Sequence, residues 1–437
     1  MVEMYGLDAW VAHSSGIMMP AVNLDNAATT PPFADVVREV QRQMRYYGSI
    51  GRGLGQKSKH SSEIYEDGRR AILNFLGADS SKYTVVYVNN TTDGINKLAG
   101  ALTSGENTLV VSTRMEHHAN DLPWRGRAHM AYAEVDADGR LIMDDFERIL
   151  RRHEYRHMTK YVTVTAASNV TGYVNDVHTI AEIAHKYGAQ IIVDGAQIIA
   201  HRQFSMCGSP DMDNDIDFLV FSAHKMYSPF GGGAIVARRD LLNAHVPQFC
   251  GGGMVITVSD DAVTYAEAPD LYEAGSPNVP GINGIIKSIE ILQNIGLDCI
   301  AGHEQHLLHR ALNGLAKIDG VVLYGDNQNI TDRVGILVFN IEGQQPADVA
   351  SELAARAGIA VRHAAFCAHP YVRRLEGKPP HELCGPAEPP KGMVRSSFGI
   401  YNTEADVDLL IQTVAGIAGA NCARPLLAHA KTPNDRA

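Results

Sequence analysis

Cysteine is scarce. The chain holds six in 437 residues, with no C-x-x-C pair and no regular spacing. That usage excludes a disulfide scaffold and a cysteine-based zinc site, and it points to a reducing cytoplasm. An excess of basic residues is missing too: 38 Lys and Arg stand against 49 Asp and Glu, a net charge of −11. Such a balance argues against non-specific binding to nucleic acid or to an anionic membrane. No apolar run approaches membrane-spanning length. The first residues include Glu3 and Asp8 and lack the basic region and apolar core of a signal peptide. There is no internal repeat and no low-complexity segment. What remains is an ordinary soluble composition, 45% hydrophobic and 20% charged, in a chain long enough for two domains.

From Lys82 onward, β-favouring runs alternate with helical patterns. Strands are expected at Tyr83–Val88, Thr108–Ser112, His129–Glu134, Tyr161–Ala166, Gln190–Asp194, Asp217–Phe221 and Gly233–Ala237. Helices are expected at Thr92–Leu102, Met143–His153 and Asp176–Tyr187. Several of the runs are apolar throughout, as in strands covered on both faces, so the fold class is α/β with a mainly parallel seven-stranded sheet. Before it, an amphipathic helix is expected over Phe33–Tyr46 and a loop over Gly48–Lys59. After Gly284, long helical patterns lead to a smaller α+β domain with strands near Val321–Tyr324, Ile336–Asn340 and Val394–Phe398. The division is therefore a large domain over 22–284, a small one built from 1–21 and 285–420, and a loose tail over 421–437.

In an open parallel sheet, ligands sit at the carboxyl ends of the strands. Asn89-Asn-Thr-Thr-Asp-Gly follows the first strand and opens a helix, which suits a phosphate and equally suits a plain N-cap. Glu116-His117-His118 and Ser168-Asn169 follow two others, and neither is distinctive alone. Asp194 closes a hydrophobic strand, where a carboxylate is costly without a partner. Phe218-Leu-Val-Phe-Ser222-Ala-His224-Lys225 ends another in a lysine that has no reason to be there unless its amine is used. Together the strand ends offer a phosphate cup, an acid, an amide, an imidazole and an amine. That set matches pyridoxal 5′-phosphate: lysine for the Schiff base, a carboxylate for the pyridinium nitrogen, donors for the phosphate.

Six segments in order, Asn23–Thr30, Asn90–Asn96, Glu116–Asn120, Asp194–Gln197, Phe221–Lys225 and Tyr272–Asn278, resemble the class V aminotransferase family of fold type I. The closest branch is the group II cysteine desulfurases and selenocysteine lyases, and the similarity runs over residues 22 to 417. The resemblance implies that Lys225 holds the cofactor, Asp194 its ring nitrogen and Gln197 its phenolate oxygen, while His117 stacks on the ring and shuttles protons. It assigns the phosphate to Thr92, Ser222 and His224, with Thr91 adjacent. It also implies a homodimer in which Ser276 reaches the partner's phosphate. Asn169 falls where the family contacts cofactor or substrate, Arg395 matches the substrate-carboxylate arginine, and Arg362 and Cys367 keep the spacing of the family's arginine and nucleophilic cysteine.

Three departures stand out. Ala365-Phe366 replaces the two histidines usual before the cysteine, the Glu376–Gly392 segment, which contains Cys384, is longer than the family's, and Gly48–Gly55 differs from the family's histidine-bearing loop. The function expected is cleavage of the Cβ–S bond of L-cysteine, giving L-alanine and a persulfide on Cys367, with an acceptor protein for the sulfur. The alternatives not using Cys367 are a selenocysteine lyase or another class V C–S lyase, an epimerase, a kynureninase-like hydrolase or an aminotransferase. A binding or regulatory subunit is the non-enzymatic alternative. No metal is expected.

Overall fold

A computed structural model describes residues 2–51, 53–103, 107–378 and 390–422. Seven strands make the central sheet: β1 (Tyr83–Val88), β2 (Thr108–Thr113), β3 (His129–Ala133), β4 (Thr159–Thr165), β5 (Ala189–Asp194), β6 (Phe218–Ser222) and β7 (Gly233–Arg238). Their spatial order is β1-β7-β6-β5-β4-β2-β3. Strands β3 to β6 run parallel through β2 and β4, and β7 runs against both its neighbours. Alternate residues feed opposite faces, as the two-residue period of a strand requires. Val85 and Tyr87 join one buried cluster, Val86 and Val88 another. Both faces are covered, which is why the strands read as unbroken apolar runs.

Helix Thr91–Leu102 crosses the sheet with Gly94 at the contact: a Cβ there would meet Val220 Cγ1 at 2.4 Å. The missing side chain lets the helix N-terminus settle beside the end of β6, which carries Ser222 and leads into Lys225.

A second sheet follows, of β8 (Val321–Leu323), β9 (Ile336–Ile341), β10 (Arg362–Ala364) and β11 (Met393–Ser397), in the antiparallel order β8-β9-β11-β10. Helices Leu297–Leu315, Pro346–Ala357 and Glu404–Cys422 pack with it around a core that includes Leu307, Phe339, Leu353, Val394 and Leu410. The chain's beginning returns to this unit. Val22–Asn23 pairs in parallel with Ile359–Ala360, and Asp25 bridges to Ser397.

The expected loop over Gly48–Lys59 ends early, at Gly55, where the 20-residue helix Gln56–Phe75 begins. Its buried face includes Ser58, Ser61, Gly68 and Arg69, so the apolar period that would announce a helix is diluted. The Phe33–Tyr46 helix is Ala34–Gln43 followed by a tight turn. Two exposed hairpins, Trp10–Ala12 with Met18–Pro20 and Val255–Val258 with Val263–Tyr265, gave no sequence signal. Cys384, with most of the Glu376–Gly392 segment, lies outside the described residues, as do residues 423–437. Among the described residues no helix is long and apolar enough to cross a membrane, and no cluster of metal-ligating side chains forms.

Candidate active site

The carboxyl ends of β4, β5 and β6, with the N-terminal turn of helix Thr91–Leu102, open onto a cavity of about 560 Å³. Thr91, Thr92, His117, Asn169, Asp194, Gln197, Ser222, His224, Lys225, Arg362, Cys367 and Arg395 all line it. Of the site residues that the resemblance assigns, Ser276 lies elsewhere. It lines a second cavity of about 310 Å³ that shares Asn89 and Gly232 with the first.

Electrostatics divide the groups by role. Lys225 follows β6 in a short turn, and withdrawal of its ammonium from water pushes its pKa down to about 8. Asp194 and Cys367 work against that shift, while Arg395 and Arg362 add to it. Asp194 ends β5 almost fully buried; burial raises its pKa, and the Ala196 N–H at 2.9 Å and the charge of Lys225 oppose the rise. His117 accepts a hydrogen bond from the Ala119 N–H on Nδ1 at 3.0 Å. Burial and the nearby Lys225 push its pKa down to about 3, so the ring is neutral near pH 7. Burial and Lys225 also bring His224 down to about 4.

These residues fit a phosphorylated pyridoxal. Thr91 opens its helix, where the first N–H groups have no intrahelical acceptor and the helix dipole favours an anion. The Thr91 N–H donates to Ser222 Oγ at 2.8 Å, and the two hydroxyls meet at 2.7 Å, which draws them to one spot. Gln197 donates to the Ala27 carbonyl at 2.8 Å, and its buried carboxamide oxygen has no partner among the described residues. An orphaned polar atom in a cavity wall is costly unless a polar ligand meets it. Amine, buried acid, neutral imidazole and anion cup are thus arranged around one space.

The cysteine side is strained. Ala364, Phe366 and Cys367 have φ of +86°, +52° and +55°, conformations that cost side-chain-bearing residues of order 1–3 kcal/mol each. Neighbours hold them there. The His118 N–H donates to the Cys367 carbonyl at 2.6 Å, and Asn169 Nδ2 donates to the Phe366 carbonyl at 2.8 Å. Gly392 backs onto Ala364 so closely that a Cβ would lie 2.5 Å from Ala364 Cα. The loop turns Cys367 outward as an exposed thiol at the cavity mouth. Phe366, in place of a histidine, is buried with its ring centre 5.0 Å from the Arg395 guanidinium carbon.

Two structural partners were not legible as such. Glu116 is fully enclosed and accepts from Thr113 Oγ1 at 2.6 Å, Asn120 Nδ2 at 2.6 Å and the Thr165 N–H at 3.0 Å. Burial pushes its pKa up to about 8, and it ties the end of β2 to the end of β4. Asp25 contacts both Arg362 and Arg395. Each acid lies in a segment the sequence singled out, yet nothing in the sequence names its partners.

The family model described as aminotransferase class-V matches residues 22–410. A probable cysteine desulfurase of Halalkalibacterium halodurans is 34% identical over 400 residues, spanning 90% of this chain and 91% of the relative. A cysteine desulfurase of Haloferax volcanii is 33% identical over 404 residues, spanning 90% and 89%. Among solved structures, the apo cysteine desulfurase of Thermococcus onnurineus matches with TM-score 0.81 and 28% identity over 92% of this chain and 95% of that one. The Escherichia coli cysteine desulfurase CsdA matches with TM-score 0.78 and 29% identity over the same shares.

Proposed function

The chain belongs to the aminotransferase class-V family, and on that premise we propose a pyridoxal-phosphate-dependent cysteine desulfurase that converts L-cysteine to L-alanine. The sulfur is left as a persulfide on Cys367. The observation that carries this reading is the meeting of Lys225, Asp194, Arg395 and Cys367 in one cavity.

Lys225 would hold pyridoxal 5′-phosphate, with Asp194 at its ring nitrogen, Gln197 at its phenolate, His117 on its face, and Thr91, Thr92, Ser222 and His224 around its phosphate. When bound, the cofactor supplies an electron-withdrawing ring that makes the substrate's Cα–H acidic. Arg395 takes the α-carboxylate, aided by Arg362 and Asn169, and so fixes which Cα bond faces Lys225. A lysine with a pKa near 8 is well matched to take and return a proton near neutral pH. Cys367, as thiolate, attacks the substrate sulfur. The S–S bond forms as the Cβ–S bond breaks, the electron pair stays with the carbon fragment, and a proton completes alanine.

Ser276, set apart from the cavity in one chain, supports a homodimer in which it serves the partner's site. The exposure of Cys367 supports onward transfer to a sulfur-acceptor protein, and the free thiols Cys207, Cys250 and Cys299 support a cytoplasmic setting. A separate core running from Leu307 to Ala418 supports a small C-terminal unit, while Ile285, Ile289, Leu292 and Ile300 pack into the large unit's core and Leu24 packs into the small one's.

Purified holoenzyme given L-cysteine and a reductant is expected to release alanine and sulfide in equal amounts. Cys367→Ala is expected to lose at least about 99% of that turnover, a loss typical of removing a covalent nucleophile. Full turnover by this variant would instead assign the chain to the lyases that do not use the cysteine.

A further inference from the structure

Arg362 and Arg395 are register partners on the adjacent antiparallel strands β10 and β11. Like charges placed directly opposite each other on a sheet repel. Arg395 cannot escape: it is 2% exposed, donates through Nη1 to the Asn169 carbonyl at 2.9 Å, and lies over the Phe366 ring. Arg362 is half exposed. One carboxylate reconciles them. Asp25 accepts from Arg395 Nη2 at 3.0 Å on Oδ1 and from Arg362 Nε at 3.0 Å on Oδ2, with Arg362 Nη2 in ion-pair contact with Oδ2 at 2.9 Å. Asp25 is delivered by backbone pairing to the very segments that carry the arginines, since Asn23 pairs with Ala360 and Asp25 with Ser397.

We propose that Asp25 is a positioning residue that sets the charge of the substrate clamp, making the two-arginine site a receptor for amino acids with one negative group. Two guanidinium cations and one carboxylate leave a single net positive charge at the cavity wall. One α-carboxylate neutralises it. The buried Arg395 Nε, which has no partner among the described residues, is the donor left over for that carboxylate. A substrate with a second, side-chain anion meets no second free charge, because Asp25 already occupies it. Removing the carboxylate charge leaves two net cations facing each other, and the clamp then favours a dianionic amino acid.

The proposal rests on the desulfurase reading for its natural substrate, but its test does not require turnover. Calorimetric titration of wild-type and Asp25→Asn holoenzyme with L-alanine and with L-aspartate gives two binding constants for each protein. In Asp25→Asn the preference for L-alanine over L-aspartate is expected to fall about tenfold, and Asp25→Glu is expected to restore it. In turnover assays, kcat/KM for L-cysteine sulfinate should gain about tenfold relative to that for L-cysteine. Equal weakening of both ligands, with their ratio unchanged within about twofold, would overturn the proposal. Should Asp25→Asn fail to fold, Arg362→Gln tests the same charge count: L-alanine binding should weaken about tenfold, and unchanged binding overturns it. Wild-type enzyme inert toward L-cysteine, with the binding ratio shifted as expected, would sink the desulfurase reading alone.

Discussion

Replacing Glu273 by glutamine isolates the worth of one buried charge. Glu273 accepts from Arg69 Nη1 at 2.9 Å, Arg69 Nη2 at 2.8 Å, the Tyr87 N–H at 2.6 Å and the Tyr65 hydroxyl. The two side chains are 8% and 7% exposed. Arg69 also lies over the Tyr65 and Tyr87 rings, 4.7 and 4.8 Å from their centres, and donates to the Val85 carbonyl. Breaking a buried pair by removing one partner costs about 3–5 kcal/mol, because the other charge stays uncompensated. Here the rings, the carbonyl and the outlying Glu66 remain, and they offset about 1–2 kcal/mol. A net loss of about 2–3 kcal/mol follows for Glu273→Gln. Glutamine keeps the shape, so no cavity contributes. The assay is equilibrium urea unfolding of holoenzyme followed by two optical probes. Removing both charges, in Arg69→Met with Glu273→Gln, should cost less than the two single losses added together, because neither charge is then left unpaired. A single variant with an unmoved midpoint, or a double variant no more stable than the sum of the singles, would refute the reasoning.

Two further outcomes follow from the site. Because burial holds Lys225 near pKa 8, against about 10.4 for an ordinary lysine, a larger share of its amine is neutral at moderate pH. Cofactor uptake by apoenzyme should therefore quicken as pH rises through about 8 and then level off; a rate still climbing tenfold per unit at pH 10 would show an unperturbed amine. Gly392→Ala should destabilise by about 2–4 kcal/mol, since its φ is +86° and its Cβ would strike the Ala364 backbone; a melting temperature within a degree of wild type would contradict it.

What the sequence revealed depends on how local each signal is. A strand's apolar run and the polar residue ending it sit within a few positions, so Asp194 and Lys225 stood out. Helix Gln56–Phe75 was missed because its buried side carries serines and Arg69, whose partner Glu273 lies far along the chain. Ser276 was legible only through family resemblance, and in a single chain it faces a neighbouring cavity. The function of Asp25 escaped notice because a carboxylate after a two-residue strand looks like a turn former until Arg362 and Arg395 are brought beside it. The change from histidine to Phe366 was visible as an absence; only the folded chain shows the ring meeting a guanidinium.

The pairing of Asp25 with Arg395 joins residues 370 positions apart, and that separation orders events during synthesis. Ser222 and Gly233 are opposite each other in neighbouring strands, so the Lys225 turn closes over a short stretch of chain. Every group of the proposed phosphate cup, together with Asp194 and Lys225, has emerged from the ribosome well before β11. Distant closure carries the larger entropy cost and comes late. A chain halted after residue 284 would hold the lysine and its acid yet lack both arginines and the cysteine. The capacity to take up cofactor is thus expected to mature before the capacity to hold substrate. The last long-range clasp to form is the one that makes the enzyme selective.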